Sequence, residues 1–345
     1  MTILVTGGAG FIGSHFARLK ARQQKRVIVL DKLTYAGNPE NLEEITKDPE
    51  KLPYFKFCKG DICDKQLVEK IVKEEKVSVI VNFAADSHVD RSIINADSFI
   101  DTDIKGTYTL LEVAKENDID VFVQISTDEV YGSITSGSFE ESDALQPRNP
   151  YAASKAGAEL LVNAYWITHK VPVIITRSCN NYGPNQHPEK LVPLFITNAI
   201  EDEMLPIYGD GKQIRDWLHV EDNCAAIDFL LENGKSGEVY NISAGSECTN
   251  IEITNFILDE LKKPGTLIKN VKDRVGHDRR YSIDCSKIHS LGWQPGIDHT
   301  DGLRDTIKWY LDNRDWWSKI KTGEYLKYYT EQYVNRETNL SSADS

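Results

Sequence analysis

The sequence predicts an α/β protein with a doubly wound parallel sheet, followed by a smaller, mixed α/β lobe. In the first half of the chain, short β-rich apolar runs alternate with helical patterns, which is typical of strand–helix–strand units. A glycine-rich turn follows the first of these runs. After about residue 178 the pattern loosens, and turns containing Pro and Gly separate shorter elements. This change in pattern marks the start of the second lobe.

The elements of the first half follow in order along the chain. Apolar, β-rich runs predict strands at residues 3–5, 27–30, 55–58, 77–82, 121–125 and 173–176. Helical patterns predict helices near residues 13–24, 64–75, 97–116 and 151–168. We expect one domain over residues 1–178, with some later segments returning to it, and a second lobe mainly over residues 179–335. The last residues, 336–345, are a candidate for a disordered tail.

Composition and charge argue against several classes of protein. A net charge of −13 over 345 residues disfavours nucleic-acid and anionic-lipid partners, because clustered Lys and Arg bind these. No run of about 18 apolar residues occurs, so we expect no membrane span. Six scattered cysteines lack a C-x-x-C pair and the histidines lack ligand spacing, so neither disulfides nor a metal is indicated. The first strand begins too early for a signal peptide, which predicts a cytoplasmic protein.

The glycine-rich turn reads TGGAGFIG at residues 6–13. Gly8, Gly10 and Gly13 have the G-x-G-x-x-G spacing, and Gly7 begins the related G-x-x-G-x-x-G spacing. Between a strand and a helix, such glycines let a pyrophosphate approach backbone N–H groups at the positive end of the helix. The turn therefore predicts a Rossmann-type dinucleotide site.

An acidic residue follows the second predicted strand, at the distance from the glycine turn that a dinucleotide site requires. Asp31 is placed to bind ribose hydroxyls and would repel a 2′-phosphate, which favours NAD over NADP. Lys32 beside it weakens that preference. Residues 60–62, Gly-Asp-Ile, follow the third strand and are placed either to flank the adenine or simply to form a strand-end turn.

Five residues of the first half suit acid–base chemistry. Tyr151 and Lys155 form Y-x-x-x-K, so on a helix they share one face. An ammonium near a phenol lowers the pKa of the phenol toward the range of a base that removes a hydroxyl proton. Thr127, Asp128 and Glu129 leave a strand at its carboxyl end, where ligands bind in open α/β sheets. Two carboxyls there suit two proton transfers. The plain alternatives are a chance pairing and a solvated acidic turn.

Eight segments spread over nearly the whole chain carry a resemblance to a known family. They are TGGAGFIG (6–13), DKLTYAGN (31–38), FAADSHVDRSI (83–93), STDEVYG (126–132), YAASKAGAE (151–159), NNYGPNQHPEKLVP (180–193), LPIYGDGKQIRDWLHVED (205–222) and DRVGHDRRYSID (273–284). With these segments the sequence resembles the extended short-chain dehydrogenase/reductase family, and within it the 4,6-dehydratases of nucleotide sugars. Together the segments are far more specific than any one of them.

The resemblance implies NAD-dependent dehydration of dTDP-glucose to its 4-keto-6-deoxy product by a lyase that eliminates water. In the implied first stage, Tyr151, assisted by Lys155 and Thr127, takes the 4-hydroxyl proton while hydride passes from C4 to NAD. Glu129 then removes the C5 proton as Asp128 protonates the departing 6-hydroxyl. Hydride returns to C6, C5 is reprotonated, and NAD ends oxidised.

The resemblance also implies binding residues, carried over by motif. The implied cofactor contacts are Gly7, Gly10, Phe11, Ile12, Gly13, Asp31, Lys32, Leu33, Thr34, Asp61, Ile62, Ala84, Ala85, Thr102, Tyr151, Lys155 and Asn181. The implied nucleotide-sugar contacts are Ser87, Thr127, Asn180, Lys190, Leu191, Pro206, Ile207, Tyr208, Arg215, Asn250, Asp273, Arg274 and His277. Lys190, Arg215 and Arg274 can neutralise a diphosphate within an acidic protein. A homodimer is implied as well, formed through the helices near 97–116 and 151–168.

Four positions depart from the family pattern. Asp103 stands where asparagine is common, and Asp86 where glutamate is frequent. Asn185 follows Gly-Pro where an aromatic residue is usual, and Val275 replaces the proline of the DRPGH segment. We expect Asp103 to alter hydrogen bonding near Lys155. The other departures in substrate loops bear on rate and exact substrate more than on reaction type.

Other enzymes on the same fold are the nearest alternatives. A nucleotide-sugar 4-epimerase or a UDP-glucuronate decarboxylase would share the glycine turn, Asp31, Tyr151 and Lys155. Asp128 favours a dehydratase, because relatives of the decarboxylase type typically have serine there and epimerases lack the Asp-Glu pair. A non-catalytic NAD-binding sensor is the alternative from a different class. UDP-glucose stays open as a substrate, since a contact with the thymine methyl contributes only about 1 kcal/mol.

Overall fold

The computed structural model describes residues 1–273 and 277–334. Its strands are β1 Thr2–Thr6, β2 Arg26–Asp31, β3 Phe55–Lys59, β4 Val79–Asn82, β5 Val121–Thr127, β6 Val173–Ser178, β7 Asn180–Tyr182, β8 Leu205–Tyr208, β9 Ile214–His219, β10 Glu238–Ile242, β11 Glu247–Thr249 and β12 Ile268–Val271. Its α-helices are α1 Phe11–Arg22, α2 Glu43–Thr46, α3 Lys65–Glu75, α4 Val89–Ile94, α5 Asp97–Phe99, α6 Thr107–Glu116, α7 Pro150–His169, α8 Leu191–Ile200, α9 Val220–Asn233, α10 Asn250–Glu260, α11 Ser286–Leu291, α12 His299–Asp312, α13 Arg314–Ile320 and α14 Glu324–Tyr329.

Seven parallel strands form the central sheet in the order β3–β2–β1–β4–β5–β6–β10. From β1 the chain first adds β2 and β3 on one side, and it then adds β4, β5 and β6 on the other side. The winding order therefore reverses between β1 and β4, and the crevice at their carboxyl ends is where open α/β sheets bind ligands. The predicted doubly wound parallel sheet is confirmed, and all six predicted strands belong to it.

Both faces of the sheet are buried, which explains why its strands are almost continuously apolar. Along β1, Ile3 and Val5 point into one core, which helices α1 and α9 cover with residues such as Phe16. Leu4 points into the opposite core, which α3, α6 and α7 cover with residues such as Leu110. Each fully buried aliphatic side chain contributes about 1.5–3 kcal/mol, so the two cores hold the strand ends in fixed positions.

The seventh strand comes from beyond residue 178. β10 pairs in parallel with β6, with Tyr240 opposite Thr176. Helix α9 precedes it and packs against α1 in the first core through Ile227 and Leu230. The sequence did not place a strand here, because EVYNI is a short run between turn residues and has no repeated pattern to distinguish it.

The second lobe is smaller and mixed, as predicted. It contains a three-stranded sheet in the order β11–β9–β7 and a two-stranded sheet of β12 and β8. Its helices α8, α10, α12 and α13 enclose a separate apolar core that includes Phe195, Ile257, Tyr310 and Trp317. This core supports the strands that face the central sheet from across the crevice.

One predicted helix, over residues 97–116, is interrupted. The short helix α5 passes into a π-helical turn at Ile100–Gly106, and α6 follows. A side chain at Gly106 would collide with Ile62, so the turn packs closely on the loop after β3. Such wide turns occur most often at functional sites. Here the turn brings Thr102 to the crevice and buries Asp103.

Several expectations concern features other than the fold. Within residues 1–273 and 277–334, no helix has the length and apolar character needed to cross a bilayer. In the same ranges, no group of three or more His, Cys, Asp or Glu side chains is arranged to hold a metal ion. All six cysteines are free thiols. The candidate tail at residues 336–345 lies outside the described residues.

Candidate active site

A large cavity follows the carboxyl ends of the central strands. The glycine turn after β1, the segment after β4, the end of β5 and the first turns of α7 all line it. The implied cofactor contacts in its wall are Gly7, Gly10, Phe11, Ile12, Gly13, Asp31, Lys32, Thr34, Asp61, Ile62, Ala84, Ala85, Thr102, Tyr151, Lys155 and Asn181. Leu33 differs, because its side chain packs beside the first core. We call this space the cofactor cavity.

The glycine turn needs its glycines for space as well as for backbone conformation. Gly7 has a φ of +63°, and a Cβ there would lie 2.7 Å from the backbone nitrogen of Ala84. A Cβ at Gly13 would collide with the carbonyl of Gly7. The turn therefore brings bare backbone to the start of α1, where unpaired N–H groups and the helix dipole attract a pyrophosphate.

Asp31 lies at the end of β2 with both carboxylate oxygens held. The Ala9 N–H donates to Oδ2 at 2.9 Å, and the Leu33 N–H donates to Oδ1 at 2.7 Å. Burial raises the pKa of Asp31, and these two donors oppose the rise. Lys32 pairs with Asp61, with 2.7 Å between Nζ and Oδ2. Because Lys32 already has a carboxylate partner, it adds little attraction for a 2′-phosphate, and the site favours NAD.

Helix α7 holds Tyr151 and Lys155 at the cavity, and local sequence fixes where it begins. Asn149 is the N-cap, and its Oδ1 accepts a hydrogen bond from the Ala152 N–H at 2.8 Å. Pro150 is the first helical residue, where its missing N–H costs no hydrogen bond. The start of α7 is therefore defined to within one residue, and with it the direction of the tyrosine–lysine pair.

The pKa of Tyr151 differs from the sequence-based expectation. Burial raises it well above its usual value, Glu129 and Asp103 raise it further, and a hydrogen bond with Thr127 lowers it in part. We expected Lys155 to produce a net lowering, but within the protein alone burial and the carboxylates outweigh the ammonium. An oxidised nicotinamide ring bound in this cavity would add a positive charge, which favours the phenolate.

Asp128 is buried, with 3% of its surface exposed. Burial first, and then the charge of Glu129, raise the pKa of Asp128 to about 8, although Arg215 opposes this. Thr127 Oγ1 donates to its Oδ1 at 3.2 Å, whereas Oδ2 is buried with no hydrogen-bond partner. A carboxyl group with this pKa is protonated at neutral pH, so Asp128 has the properties of a general acid.

Glu129 has a different environment from its neighbour. Its Oε2 accepts a hydrogen bond from Asn149 Nδ2 at 3.2 Å, and the Tyr281 hydroxyl lies 3.4 Å away but donates to Asp278 Oδ2 at 2.6 Å. Two adjacent carboxyls in unlike surroundings, one buried without a donor on Oδ2 and one with an amide donor, are suited to opposite proton transfers.

A second cavity continues from the first, and we call it the substrate cavity. Ser87, Glu129, Asn180 and Lys190 border both cavities. The implied nucleotide-sugar contacts in its wall are Ser87, Asn180, Lys190, Leu191, Pro206, Ile207, Tyr208, Arg215, Asn250 and His277. Thr127 lines the cofactor cavity instead, next to Tyr151. The carboxylate of Glu129 thus lies where a molecule in the substrate cavity meets the cofactor.

Cations lie on two sides of the substrate cavity. Lys190 Nζ donates to the backbone carbonyl of Ser87. The Arg215 guanidinium is buried 4.2 Å from the centre of the Tyr281 ring and donates to the carbonyl of Asp278 at 3.0 Å. Both side chains place positive charge at this cavity, although the protein as a whole is acidic. An anion such as a diphosphate is the ligand that they suit.

The last implied contacts belong to the segment after β12. His277 borders the substrate cavity, and its Nδ1 is 2.5 Å from Asp273 Oδ1. Asp273 also accepts a hydrogen bond from Gln213 Nε2 at 2.9 Å. Arg274 and Val275 lie outside the described residues. The histidine is therefore a candidate contact, and Asp273 orients it.

Sequence reasoning missed residues that the structure brings to the site. Asn149 holds Glu129, and the Asn-Pro pair before a helical pattern was an available N-cap signal. Tyr281 reaches Glu129 from more than 150 positions away in the chain, and nothing local marks it. Glu189 borders both cavities and accepts from the Tyr35 hydroxyl at 2.8 Å. Glu189 is buried, and the residues next to it in the sequence do not predict this.

A dinucleotide cavity that opens directly into a second, cation-bearing cavity, with acid and base groups at the junction, defines an extended short-chain dehydrogenase/reductase that acts on nucleotide sugars. The chain belongs to the GDP-mannose 4,6 dehydratase family, whose family model matches residues 4–306. The family resemblance seen in the sequence motifs is confirmed.

Individual relatives agree with this family over nearly their full length. The chain is 53% identical over 312 residues to the low-salt glycan biosynthesis protein Agl12 of Haloferax volcanii, covering 90% of this chain and 99% of the relative. It is 48% identical over 326 residues to a dTDP-glucose 4,6-dehydratase of an Actinoplanes species, covering 92% and 100%. The crystal structure of the dTDP-glucose 4,6-dehydratase DesIV from Streptomyces venezuelae, with NAD and TYD bound, matches with a TM-score of 0.90 at 49% identity, covering 93% and 100%.

Proposed function

We propose that this chain is an NAD-dependent dTDP-glucose 4,6-dehydratase, a hydro-lyase that forms dTDP-4-keto-6-deoxyglucose. The observation that carries the proposal is the adjacent pair Asp128 and Glu129, of which Asp128 is a buried carboxyl protonated at neutral pH and Glu129 accepts a hydrogen bond from Asn149 and borders both cavities. Elimination of water needs an acid for the leaving hydroxyl and a base for the carbon-bound proton. The similarity to dTDP-glucose 4,6-dehydratases of Actinoplanes and Streptomyces venezuelae supports the choice of substrate.

NAD fits the cofactor cavity. The bare backbone at Gly7 and Gly13 leaves the space that a pyrophosphate requires, and the carboxylate of Asp31 suits ribose hydroxyls. When bound, NAD accepts a hydride from the sugar and later returns it. The protein's part is to hold the cofactor, to move protons and to keep the intermediate in place.

In the first stage, the protein removes the proton of the sugar 4-hydroxyl. Tyr151 accepts this proton, Lys155 stabilises the phenolate electrostatically, and Thr127 holds the hydroxyl in line. Loss of hydride from C4 leaves a ketone, which acidifies the neighbouring C5–H bond. Oxidation at C4 therefore prepares the bond that the second stage breaks.

In the second stage, the protein eliminates water across C5 and C6. Glu129 accepts the C5 proton, and Asp128 gives its proton to the 6-hydroxyl, which leaves as water. In the third stage a hydride is returned to C6 and Glu129 returns the proton to C5. The sugar has lost one water, Tyr151 gives up the proton of the first stage, and Asp128 takes up a proton to replace the one it gave, so the acid and the base are both restored.

The substrate cavity supports a nucleoside diphosphate on the sugar. Lys190 and Arg215 are placed for the two phosphates, and Pro206, Ile207 and Tyr208 form an apolar and aromatic wall for a pyrimidine. Thymine and uracil differ by one methyl group, so UDP-glucose is the alternative substrate. The Asp128 acid favours a dehydratase over an epimerase or a decarboxylase on this fold.

We propose further that the protein is a cytoplasmic homodimer. Six free thiols suit a reducing compartment. On α7, Leu160 and Ile167 are 63% and 58% exposed and lie seven residues apart on one helix face, which supports pairing with a second copy. We propose residues 1–178 as the NAD-binding domain, with β10 returning to it, and residues 179–335 mainly as the nucleotide-sugar lobe.

The proposed function is tested with purified protein and dTDP-glucose or UDP-glucose, without added NAD. We expect dTDP-glucose to lose the mass of one water and to give a 4-keto sugar with its characteristic alkaline absorbance. Turnover of UDP-glucose alone would change the nucleotide and keep the chemistry. Unchanged mass of both sugars, even with NAD supplied, would refute the dehydratase proposal for them and direct the work to epimerase and decarboxylase substrates.

A further inference from the structure

Asp103 is a buried carboxyl near Tyr151 and Lys155. It belongs to the π-helical turn Ile100–Gly106, which packs along α7. Only 1% of its surface is exposed. A carboxyl group is costly to bury. Among the described residues, no arginine or lysine forms a salt bridge with Asp103. Its position therefore calls for an explanation beyond packing.

The two oxygens of Asp103 have unlike partners. Ser154 Oγ donates to Oδ2 at 2.6 Å, and the same hydroxyl lies 2.8 Å from the Tyr151 carbonyl. Oδ1 is buried without a hydrogen-bond partner. Ser154 stands between Tyr151 and Lys155 in the sequence, so this hydrogen bond ties the carboxyl to the turn of α7 that carries the catalytic pair.

Charged and titratable groups face Asp103 from two other elements, and a third element presents carboxyls to Tyr151. From α7 come Lys155 and the phenol of Tyr151, and from the loop after β4 comes Asp86. The end of β5 presents the carboxyls of Asp128 and Glu129 to the same phenol. The other charged residues of its own turn, Asp101 and Lys105, are exposed to solvent. Asp103 is therefore the buried charge of the turn.

The charge of Asp103 changes in a useful pH range. Burial raises its pKa to about 6, although Lys155 and the Ser154 hydroxyl lower it in part. Above that pH a negative charge faces Tyr151 and disfavours the phenolate, and Asp103 is one of the groups that raise the pKa of Tyr151. An asparagine at this position would have no such effect.

We propose that Asp103 is a positioning residue of the first proton transfer: its carboxylate, held on α7 by Ser154, opposes ionisation of Tyr151 and sets the pH range in which the sugar hydroxyl is deprotonated. The inference rests on the proposed function, since Tyr151 is its target. Asp103 does not touch the substrate, and it acts through the tyrosine. The expected consequence is a pH profile shifted toward alkaline values relative to a variant with asparagine here.

The test compares the protein with its Asp103→Asn and Asp101→Asn variants in the NAD-loaded state. The measurement is the single-turnover rate of nicotinamide reduction by dTDP-glucose across pH. We expect Asp103→Asn to move the acidic limb of the profile to lower pH by about one unit, the size of effect that a nearby like charge produces. Asp101→Asn, the same change on the exposed side of the turn, should leave the profile in place. Superimposable profiles for wild type and Asp103→Asn would overturn the inference.

A second variant covers the case in which Asp103→Asn does not fold. Ser154→Ala retains the carboxyl but removes the donor that favours its charged form, so Asp103 stays neutral to higher pH. The acidic limb should move in the same direction as for asparagine. A limb that stays in place or moves to higher pH in Ser154→Ala would contradict the inference.

A failure of the proposed function is distinguishable from a failure of this inference. If the wild type does not consume dTDP-glucose, the function fails, and the ionisation of Tyr151 is read directly instead. The tyrosinate absorbance difference between NAD-loaded protein and its Tyr151→Phe variant gives the pKa of the phenol. This pKa should be lower in the Asp103→Asn background, and equal values in the two backgrounds would refute the role of Asp103.

Discussion

At the scale of single residues, the site separates side chains of the same type by their surroundings. Asp128 is buried with one oxygen unpartnered, whereas Glu129 accepts a hydrogen bond from Asn149 Nδ2. Asp31 receives two backbone N–H groups and is thereby prepared for a cofactor ribose. The residue types alone indicate where acid–base chemistry is expected. Burial and hydrogen-bond donors decide whether a given carboxyl gives or accepts a proton.

Replacing the proposed acid should stop the reaction after oxidation. We expect Asp128→Asn to lower the rate of water elimination by about 100-fold or more, because an amide cannot protonate the leaving hydroxyl. Loss of one water is measured by product mass, and nicotinamide reduction by absorbance. Asp120→Asn, at an exposed aspartate just before β5 and so at the opposite end of that strand, is the matched control. Equal dehydration by both variants would refute the assignment of the acid.

The pH dependence of Asp128 follows from its raised pKa. The carboxyl is protonated below about pH 8 and ionised above it, so elimination should slow as pH rises through about 8. In the unfolded chain the pKa of this carboxyl is near 4. The free energy of unfolding of the wild type therefore falls as pH rises from about 4 to about 8. The amide of the Asp128→Asn variant does not titrate. Thermal unfolding at pH 8 should therefore occur at a higher temperature for Asp128→Asn than for wild type, and the reverse order would contradict the raised pKa.

Asp31 should set both the affinity for NAD and the choice against NADP. Replacing the carboxylate by an amide in Asp31→Asn weakens its hydrogen bonds to ribose, for which a loss of about 1.5–3 kcal/mol is typical of charged partners. We expect at least about tenfold weaker NAD binding by calorimetry. The ratio of NADP to NAD affinity should rise. An unchanged ratio would show that Asp31 does not face the 2′ position.

At the scale of elements, helix caps and turns place the reactive groups. Asn149 caps α7 and also donates to Glu129, so one side chain fixes the catalytic helix and its neighbouring base.

The loop after β7, from Gly183 to Lys190, connects to α1 through two contacts. Arg18 Nη1 donates to Asn185 Oδ1 at 2.9 Å, and His15 Nε2 lies 2.9 Å from the Pro184 carbonyl. The cofactor helix and the substrate loop are therefore joined.

Removing the cap of α7 should affect stability and catalysis together. Asn149→Ala loses an N-cap, which costs about 1 kcal/mol, and leaves Glu129 without one donor. We expect a lower unfolding temperature and a lower rate of elimination. Asp64→Ala removes the cap of α3, where Asp64 Oδ1 accepts from the Leu67 N–H, and should lower stability while leaving the rate intact. Parallel effects on rate in the two variants would show that Asn149 acts only as a cap.

The connection between α1 and the substrate loop is tested at Asn185. This residue has a φ of +64°, which asparagine tolerates and alanine does not. We expect Asn185→Ala and Asn185→Gly both to raise the KM for dTDP-glucose, because both lose the bond to Arg18. The alanine variant should be less stable than the glycine variant by about 1 kcal/mol, the cost of the positive φ. A wild-type KM in the glycine variant would show that backbone conformation alone matters.

At the scale of the whole molecule, the central sheet and the second lobe hold two adjoining cavities. The central sheet carries the cofactor cavity, and the core of the second lobe supports β8 and β9, which bring Tyr208 and Arg215 to the substrate cavity. The exposed apolar side chains of α7 lie on the face of the sheet opposite α1.

The proposed homodimer predicts a monomer on disruption of that face. Leu160→Glu combined with Ile167→Glu places two charges on the exposed stripe of α7, where a partner would have to desolvate them. We expect light scattering after size exclusion to give the mass of one chain in place of two. Leu311→Glu, at a similarly exposed leucine on α12 of the second lobe, is the control and should leave the mass unchanged. A monomeric wild type would remove the basis of the proposal.

Sequence reasoning worked where the pattern was local. Apolar runs identified six strands of the central sheet, and the glycine spacing with Asp31 identified the dinucleotide site. It failed where the structure depends on distant partners: β10 is too short to stand out, and Tyr281 and Glu189 come from separate parts of the chain. The π-helical turn at 100–106 was hidden too, because its side chains keep a helix-like order. The pKa of Tyr151 needed the burial that only packing reveals.

The position of β10 in the central sheet has a consequence for how the protein is made. A ribosome has released β1 to β6 long before it reaches residues 238–242, so for part of synthesis the hydrogen-bonding edge of β6 has no neighbour. A bare edge strand attracts other chains. Nascent chains stalled before residue 242 should therefore aggregate or recruit chaperones, and release from that state should coincide with the emergence of β10.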